Sequence, residues 1–297
     1  MKSPTRKPRN IAVVWHGSIE GAESVAREIA AAIETDSSGR ASAECSPLHD
    51  EAFRMRLKQY TYDLVITLGG DGTMLRTGRL CAPLKVPICG VNLGSFGFMM
   101  ELPKNGWREA IPALIDGRFR IETRMMIHVD VIRPSGLTVS RDVLNDAVIA
   151  RGLDVRPVRT VVRVNGNFLT EYVSDGLIAS TATGSTAYAM AVGGPIIEPE
   201  MRTILLIPIA PHLSLNHGLI LQPHDVIECT CRSRDVTVLS LDGGSSIQVA
   251  EEDKIRITAS DDSAYFVRIS SDGFFYRNFI QYMQRNPSAV QSRTPPA

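Results

Sequence analysis

The run Leu64-Val65-Ile66-Thr67-Leu68, followed at once by Gly69-Gly70-Asp71-Gly72-Thr73, constrains the fold more than any other stretch. An apolar run without alternation reads as a strand buried on both faces, as in a parallel sheet. The glycines around Asp71 let the backbone come very close to another molecule. Thr73 is placed to cap a helix beginning Met74-Leu75-Arg76. A glycine turn between a strand and a helix suits phosphates, because its N–H groups and the helix N-terminus both favour anions. Asp71 is then an anion set in an anion site. That fits a carboxylate that handles a proton or a metal ion beside the phosphate, or that bonds a sugar hydroxyl. It fits equally a helix-capping turn with an Asx bond.

The rest of the first half repeats the strand–helix alternation. Ile11 to Trp15 reads as a strand, and Gly21 to Glu34 as a helix with Val25, Ile29 and Ile33 on one face. Cys45 falls in a short strand, Phe53 to Tyr60 in a short helix, Ile88 to Val91 in another buried strand, and Trp107 to Ile115 in a helix stopped by Asp116-Gly117. Such alternation predicts an open, mostly parallel sheet with flanking helices. The strand ending at Val91 runs into Asn92-Leu93-Gly94-Ser95-Phe96-Gly97-Phe98, a second glycine-rich turn. Ligands of open α/β sheets bind at the carboxyl edge, where both turns fall.

After Gly117 the pattern changes. Ile127, Val129 and Val131 alternate with His128 and Asp130, and Val161–Val164, Asn165-Gly166, Phe168–Tyr172 reads as a hairpin. Strands are predicted at Leu177–Ser180, Leu205–Ile209, Leu219–Leu221, Val226–Cys231, Val236–Leu241, Ile255–Thr258 and Tyr265–Ile269, many separated by turn signals such as Asp242-Gly243-Gly244 and Asp261-Asp262. This predicts an all-β sandwich. The expected layout is a disordered basic arm over 1–9, an α/β domain over 10–122, a β-sandwich over 123–272, a helix over 273–285 that returns to the α/β domain, and a disordered tail over 286–297.

Charge narrows the function. Lys+Arg and Asp+Glu are 32 each, so no electrostatic footprint argues for nucleic acid. The apolar runs are too short to span a membrane, and the basic start has no signal-peptide core. The five cysteines include no C-x-x-C pair. They read as reduced thiols of a cytosolic protein, with Cys229 and Cys231 in core packing.

Two further stretches carry polar chemistry. Thr181-Ala182-Thr183-Gly184-Ser185-Thr186-Ala187-Tyr188 follows a strand and leads to a helix over Ala187–Ala191 started by Thr183, Ser185 or Thr186. Hydroxyls at that density suit a polar ligand, although a Ser/Thr cap would look similar. Asn145-Asp146 can read a base edge or a ribose diol, or simply form a turn. No Gly-Lys dipeptide, G-x-G-x-x-G, G-x-S-x-G or H-E-x-x-H occurs.

Gly69–Thr73, the Asn92/Gly94/Gly97/Phe98 segment, Asn145-Asp146, and Thr181–Tyr188 with Gly193-Gly194-Pro195 occur in the order found in the NAD kinase family, which the chain resembles from about Ile11 to Tyr282. The T-G-S-T-A-Y segment is the most specific of them. The resemblance implies an α/β domain followed by a β-sandwich, with the active site between them. It implies transfer of the γ-phosphoryl group of ATP to the adenosine 2′-hydroxyl of NAD, making NADP. Inorganic polyphosphate stays open as a donor, and Mg²⁺ or another divalent cation is implied as cofactor with no metal ligand assigned. By analogy Asp71 is the essential carboxylate and Gly72 admits the substrate. Asn145 and Asp146 hold the adenosine, Thr186, Ala187 and Tyr188 line the site, and Phe98 lies near the adenine. Asp175 matches a residue that reaches the nicotinamide end, in this or a neighbouring subunit. Gly69, Gly70, Gly72 and Thr73 would hold the donor phosphates. A cytoplasmic homodimer or homotetramer is implied.

The chain departs from the family pattern at Ala182, where proline is usual, at Asp146, where glutamate is frequent, and at Ala191, where serine is common. The Pro211–Leu219 stretch lacks the arginine and second proline of its family counterpart. Asp71→Asn is expected to keep the shape and remove the base. The rival readings are a lipid or sugar kinase that shares only the first glycine turn, and a non-catalytic NAD(P)-binding regulator.

Overall fold

The computed structural model describes residues 7–59, 61–94, 97–152, 156–212, 215–232, 236–244 and 246–269, together with Phe275, Tyr276 and Phe279. The expected arm before Lys7, the tail from 286, most of the terminal helix, and Phe96 lie outside the described residues. The chain divides into two compact units, residues 1–122 with 265–297, and residues 123–264.

The first unit runs β1 (Asn10–Trp15), α1 (Ala22–Asp36), β2 (Ser42–Pro47), α2 (Glu51–Lys58), β3 (Leu64–Gly69), α3 (Asp71–Cys81), β4 (Ile88–Asn92), β5 (Leu102–Pro103) and α4 (Trp107–Ile115). Its strands are parallel in the order β2-β1-β3-β4, and β5 also pairs with β4. The order reverses between β1 and β3, so β3 ends at the switch point where such sheets bind ligands. Ile11, Val13, Leu64, Ile66, Cys89 and Val91 share a core with α1 and α4. Ala12, Val14 and Val65, pointing the other way, are buried as well, and α3 packs on β3 and β4. Both faces are covered, which is why these strands read as unbroken apolar runs. Phe275, Tyr276 and Phe279 are helical, and the rings of Phe275 and Phe279 lie 6.5 and 6.4 Å from Phe98.

The second unit begins within β6 (Arg120–Ile132) and continues through β7 (Thr138–Val143), β8 (Asp146–Arg151), β9 (Val158–Val164), β10 (Asn167–Ser174) and β11 (Gly176–Thr181). A one-turn α5 (Tyr188–Ala191) follows, then β12 (Ile204–Ile209), β13 (Leu219–Leu221), β14 (Ile227–Arg232), β15 (Thr237–Leu241), β16 (Ile247–Val249) and β17 (Lys254–Arg268). One sheet has the order β13-β12-β11-β8-β15-β16. The other joins β10, β9, β14 and the start of β17, with β6 beside β17 and β7 beside β6. Ile127, Ile149, Val162, Leu177, Cys229, Leu239 and Ile257 share one core between them, which makes a sandwich. Cys229 and Cys231 are part of that core, and all five cysteines are free. The β9–β10 hairpin turns at Asn165 and Gly166 with φ of 53° and 77°, the left-handed pair its tight turn requires.

One expectation is corrected. Asp261-Asp262 does not end a strand, because β17 continues through it. The Ser260 hydroxyl accepts the Asp262 N–H at 3.0 Å, so the local irregularity is satisfied within the strand. The sheet of β8, β11 and β12 is buried on its outer face too. Val148, Ile178, Leu205 and Ile207 pack there against Ala182, Ala189 and Ile197. The hydroxyl-rich segment is therefore laid down along the outer face of that sheet.

Candidate active site

In the first unit the site grows from the end of β3. Gly69 is buried, and a Cβ there would overlap the Thr73 side chain. Gly70, in an extended conformation, caps α3, and Asp71 is its first residue. Thr73 is not the cap: it sits inside the first turn, with its N–H on the Gly70 carbonyl at 2.9 Å and its side chain buried. Its N–H is therefore already engaged within the turn. Met74 N–H also turns back to Gly70, at 3.1 Å. The N–H groups of Asp71 and Gly72 are the ones left without an intrahelical acceptor. A Cβ on Gly70 or Gly72 would meet no atom within 4 Å. Packing does not demand glycine there, and the space in front of the turn is open.

The Asp71 carboxylate is fixed by the second glycine turn. Oδ2 accepts the Phe98 N–H at 2.8 Å, and Oδ1 accepts the Met99 N–H at 3.0 Å. A Cβ on Gly97 would overlap that carboxylate. The two turns legible in the sequence are thus one structure, joined through Asp71. Each oxygen of an ionised carboxylate keeps further acceptor capacity, so a hydroxyl can still approach. The Phe98 side chain is 6 % exposed and lies among Phe275 and Phe279. What Phe98 presents to Asp71 is its backbone.

In the second unit three segments meet at one end of the β8–β11–β15 sheet. The Asp242 carboxylate accepts the N–H groups of Leu144 at 3.0 Å, Asn145 at 2.7 Å and Asp146 at 3.2 Å. Its own N–H returns to the Asp146 carbonyl at 2.9 Å. From the other side the Thr181 hydroxyl donates to the Leu144 carbonyl at 2.6 Å and accepts the Gly184 N–H at 3.2 Å. Thr181 N–H and the Ser180 hydroxyl both reach the Asn145 carbonyl. A Cβ on Gly184 would overlap that carbonyl. The Asn145-Asp146 bend is therefore held on both sides.

Burial first, then the charge of Asp242, push the Asp146 carboxyl up to about 7. At neutral pH this group can donate as well as accept. The buried Asn145 Oδ1 and Thr183 Oγ1 have no hydrogen-bond partner among the described residues. Buried polar atoms left in that state call for a missing partner.

The expected helix over Ala187–Ala191 is instead a 3₁₀ turn, Thr183–Thr186, followed by one α turn from Tyr188, with no side-chain cap. The Ser185 hydroxyl is used inside, donating to the Ala182 carbonyl at 2.7 Å and accepting the Ile197 N–H at 3.0 Å. Thr186 and Ala187 are half-buried and Tyr188 is exposed. Asp175 stands apart. It precedes β11, whereas Thr181 ends it, so about 20 Å of strand separates the two. Its carboxylate pairs with Arg151 at 3.4 Å.

Asp242 and Arg151 are the residues that sequence reasoning missed. Asp242 stood in plain view as an acid before two glycines at a strand end, where it was read only as a turn.

A carboxylate fixed beside an open helix N-terminus, and a separate polar bend with unsatisfied buried acceptors, are the equipment of a nucleotide phosphotransferase. Residues 20–119 match the ATP-NAD kinase N-terminal domain, and residues 144–269 match the ATP-NAD kinase C-terminal domain. An NAD kinase of Dehalococcoides mccartyi is 35% identical over 245 residues, 82% of this chain and 86% of that one. One from Desulforamulus reducens is 39% identical over 214 residues, 72% of this chain and 74% of that one. The chain belongs to the NAD kinase family.

Solved structures share the fold. Yeast NADH kinase complexed with NADH superposes with a TM-score of 0.83 at 21% identity, covering 97% of this chain and 93% of that one. An Archaeoglobus fulgidus NAD kinase in complex with ATP gives 0.70 at 22% identity, covering 92% and 98%.

Proposed function

We propose that Asp71 is the carboxylate on which the reaction turns. The activity is that of the family: a phosphoryl group passes from ATP to NAD, making NADP. In our reading Asp71 orients the adenosine 2′-hydroxyl and takes its proton as the new P–O bond forms. The outer N–H groups at Gly70, Asp71 and Gly72 receive donor phosphate oxygens. Asn145, Asp146, Thr186, Ala187 and Tyr188 receive the adenosine. Asn145 Oδ1 and Thr183 Oγ1 supply acceptors for the ligand's donors, and a protonated Asp146 supplies a donor. The observation that carries this reading is the pair of backbone N–H groups holding Asp71 beside the open turn.

Phosphoryl transfer asks a protein mainly for positioning and charge stabilisation, and a preformed carboxylate meets the first need. A divalent cation fits this site only in part. No group of three or more His, Cys, Asp or Glu side chains able to hold a metal occurs among the described residues. Mg²⁺ characteristically takes one or two carboxylates and substrate phosphates, so the donor phosphates would supply most of its ligands, and organising the cation is the alternative role for Asp71. Bound in that way it would neutralise charge on the transferring phosphate.

Asp175 does not join the adenosine cluster. We assign it to the nicotinamide end, in this subunit or a neighbouring one. We also read the chain as a homo-oligomer working in the cytoplasm. No described helix is long and apolar enough to cross a membrane. Exposed Phe168 on β10 and Ile220 on β13, both on edge strands, supply apolar surface for self-association.

The test is product formation. Purified chain given NAD, ATP and Mg²⁺ should yield NADP, detected by an NADP-specific dehydrogenase. A folded chain that binds NAD yet makes no NADP from ATP or polyphosphate would return the regulator reading to the front.

A further inference from the structure

Arg268 ends β17 with its guanidinium fully buried, an unusual place for a charge. It meets two buried carboxylates. Glu122 takes its Nε and Nη2 hydrogens at 3.2 and 3.0 Å, and Glu101 takes an Nη1 hydrogen at 3.3 Å. Arg120 shares Glu122, its Nη2 lying 3.3 Å from Oε2, so four charged groups meet here. A buried ionic network adds little stability compared with well-packed apolar residues, because desolvation opposes it. Some other property of Arg268 is then in use.

That property is its fork of donors. Nη1 also donates to the Met99 carbonyl at 3.0 Å. Met99 is the residue whose N–H holds Oδ1 of Asp71. Residues near it are tied by the same cluster: Glu101 N–H bonds the Gly90 carbonyl at 3.1 Å, and Glu101 Oε1 accepts the Ile269 N–H at 2.9 Å. The segment that grips Asp71 is thus anchored from behind, to β4 and to the end of β17.

We propose that Arg268 is a positioning residue for the reaction: through the Met99 carbonyl it fixes the backbone donors that hold the Asp71 carboxylate. Arg268 reaches Asp71 through Met99, whose carbonyl it holds and whose N–H holds the carboxylate. An ammonium can balance the two glutamates, but it lacks the planar fork that serves Glu122 and the Met99 carbonyl together. The proposal rests on the assignment of Asp71 made above.

The test compares Arg268→Lys with Leu114→Ala, a truncation in the apolar core shared by α1 and α4. Two readouts are taken on each: kcat and KM for NAD and ATP, and amide exchange of the peptide spanning 97–101. Arg268→Lys should lower kcat about 100-fold, with both KM values within about twofold, because misplacement of a catalytic group costs turnover on that scale. Exchange over 97–101 should accelerate. Leu114→Ala should lower the melting temperature with neither effect. Should Arg268→Lys fail to fold, Glu122→Gln loosens the fork while keeping the arginine, and should accelerate exchange over 97–101.

Unchanged kcat in Arg268→Lys, or unchanged exchange over 97–101 in the variant that folds, overturns the proposal. A wild type without turnover overturns the kinase reading instead, and the exchange readout still judges Arg268.

Discussion

Asp71 accepts the backbone N–H of Phe98 at 2.8 Å, from a residue 27 positions further along the chain. Met99 supplies the second donor at 3.0 Å. The carboxylate is thus aimed before any ligand arrives, which reduces the reorganisation left for the reaction.

This geometry changes what Asp71→Asn tests. Both carboxylate oxygens face N–H groups, so the new amide nitrogen must oppose one of them. The variant should lose about 1–3 kcal/mol of stability as well as turnover. Turnover should fall by ~10²–10⁴, the usual worth of a general base. A urea titration beside the activity assay separates the effects, and an unchanged midpoint would contradict the two-donor arrangement.

Gly97→Ala places a methyl group against the same carboxylate. The loop or Asp71 must shift, and a displacement near 1 Å costs about 10²-fold in rate. Near-normal kcat in Gly97→Ala would show that the carboxylate does not need its present position.

Asp242→Asn tests the other unit. Asp242 has φ of 52°, which asparagine tolerates, so the backbone should persist. The charge-assisted bonds to Leu144, Asn145 and Asp146 weaken. Stability should fall by about 2 kcal/mol or more. KM for NAD should rise several-fold, with a smaller change in kcat. An unaltered KM would mean that the Asn145-Asp146 bend is not part of the nucleoside site.

Asp146 should leave a signature in stability against pH. Its folded carboxyl titrates at about 7, above its ordinary 3.8. Between those values the folded chain holds a proton that the unfolded chain has lost. Its contribution to stability is therefore fullest below about pH 4, declines as pH rises, and is level above about pH 7. The total is on the order of a few kcal/mol. Denaturation at several pH values should show Asp146→Asn gaining on the wild type from pH 4 to pH 7. A parallel pair of curves would refute the raised value.

Much of this was legible in the chain. Asp71 was found because the turn and its acid are contiguous, and the strand before it because burial on both faces leaves an unbroken apolar run. The donors to Asp71 were not, because a backbone N–H has no residue-type signature. Gly97 stood out only as part of a glycine pattern, while its reason lies in the Asp71 side chain. Thr73 looked like a cap because threonine favours that position, but Gly70, one turn earlier, already starts α3. Asp242 was hidden by its own turn chemistry, since Asp-Gly-Gly explains itself locally. Arg268 gave no signal, because nothing in a strand sequence announces which charge will be buried.

The central claim is that Asp71 does chemistry and does not merely hold the turn. Single turnover of enzyme-bound NAD with excess ATP and Mg²⁺ tests it most directly, in the wild type and in Asp71→Ala, with NAD affinity measured on both. We predict NADP from the wild type, loss of the chemical step by at least ~10²-fold in Asp71→Ala, and NAD affinity changed far less than the rate. An Asp71→Ala enzyme that folds, binds NAD and forms NADP at the wild-type rate would contradict the account.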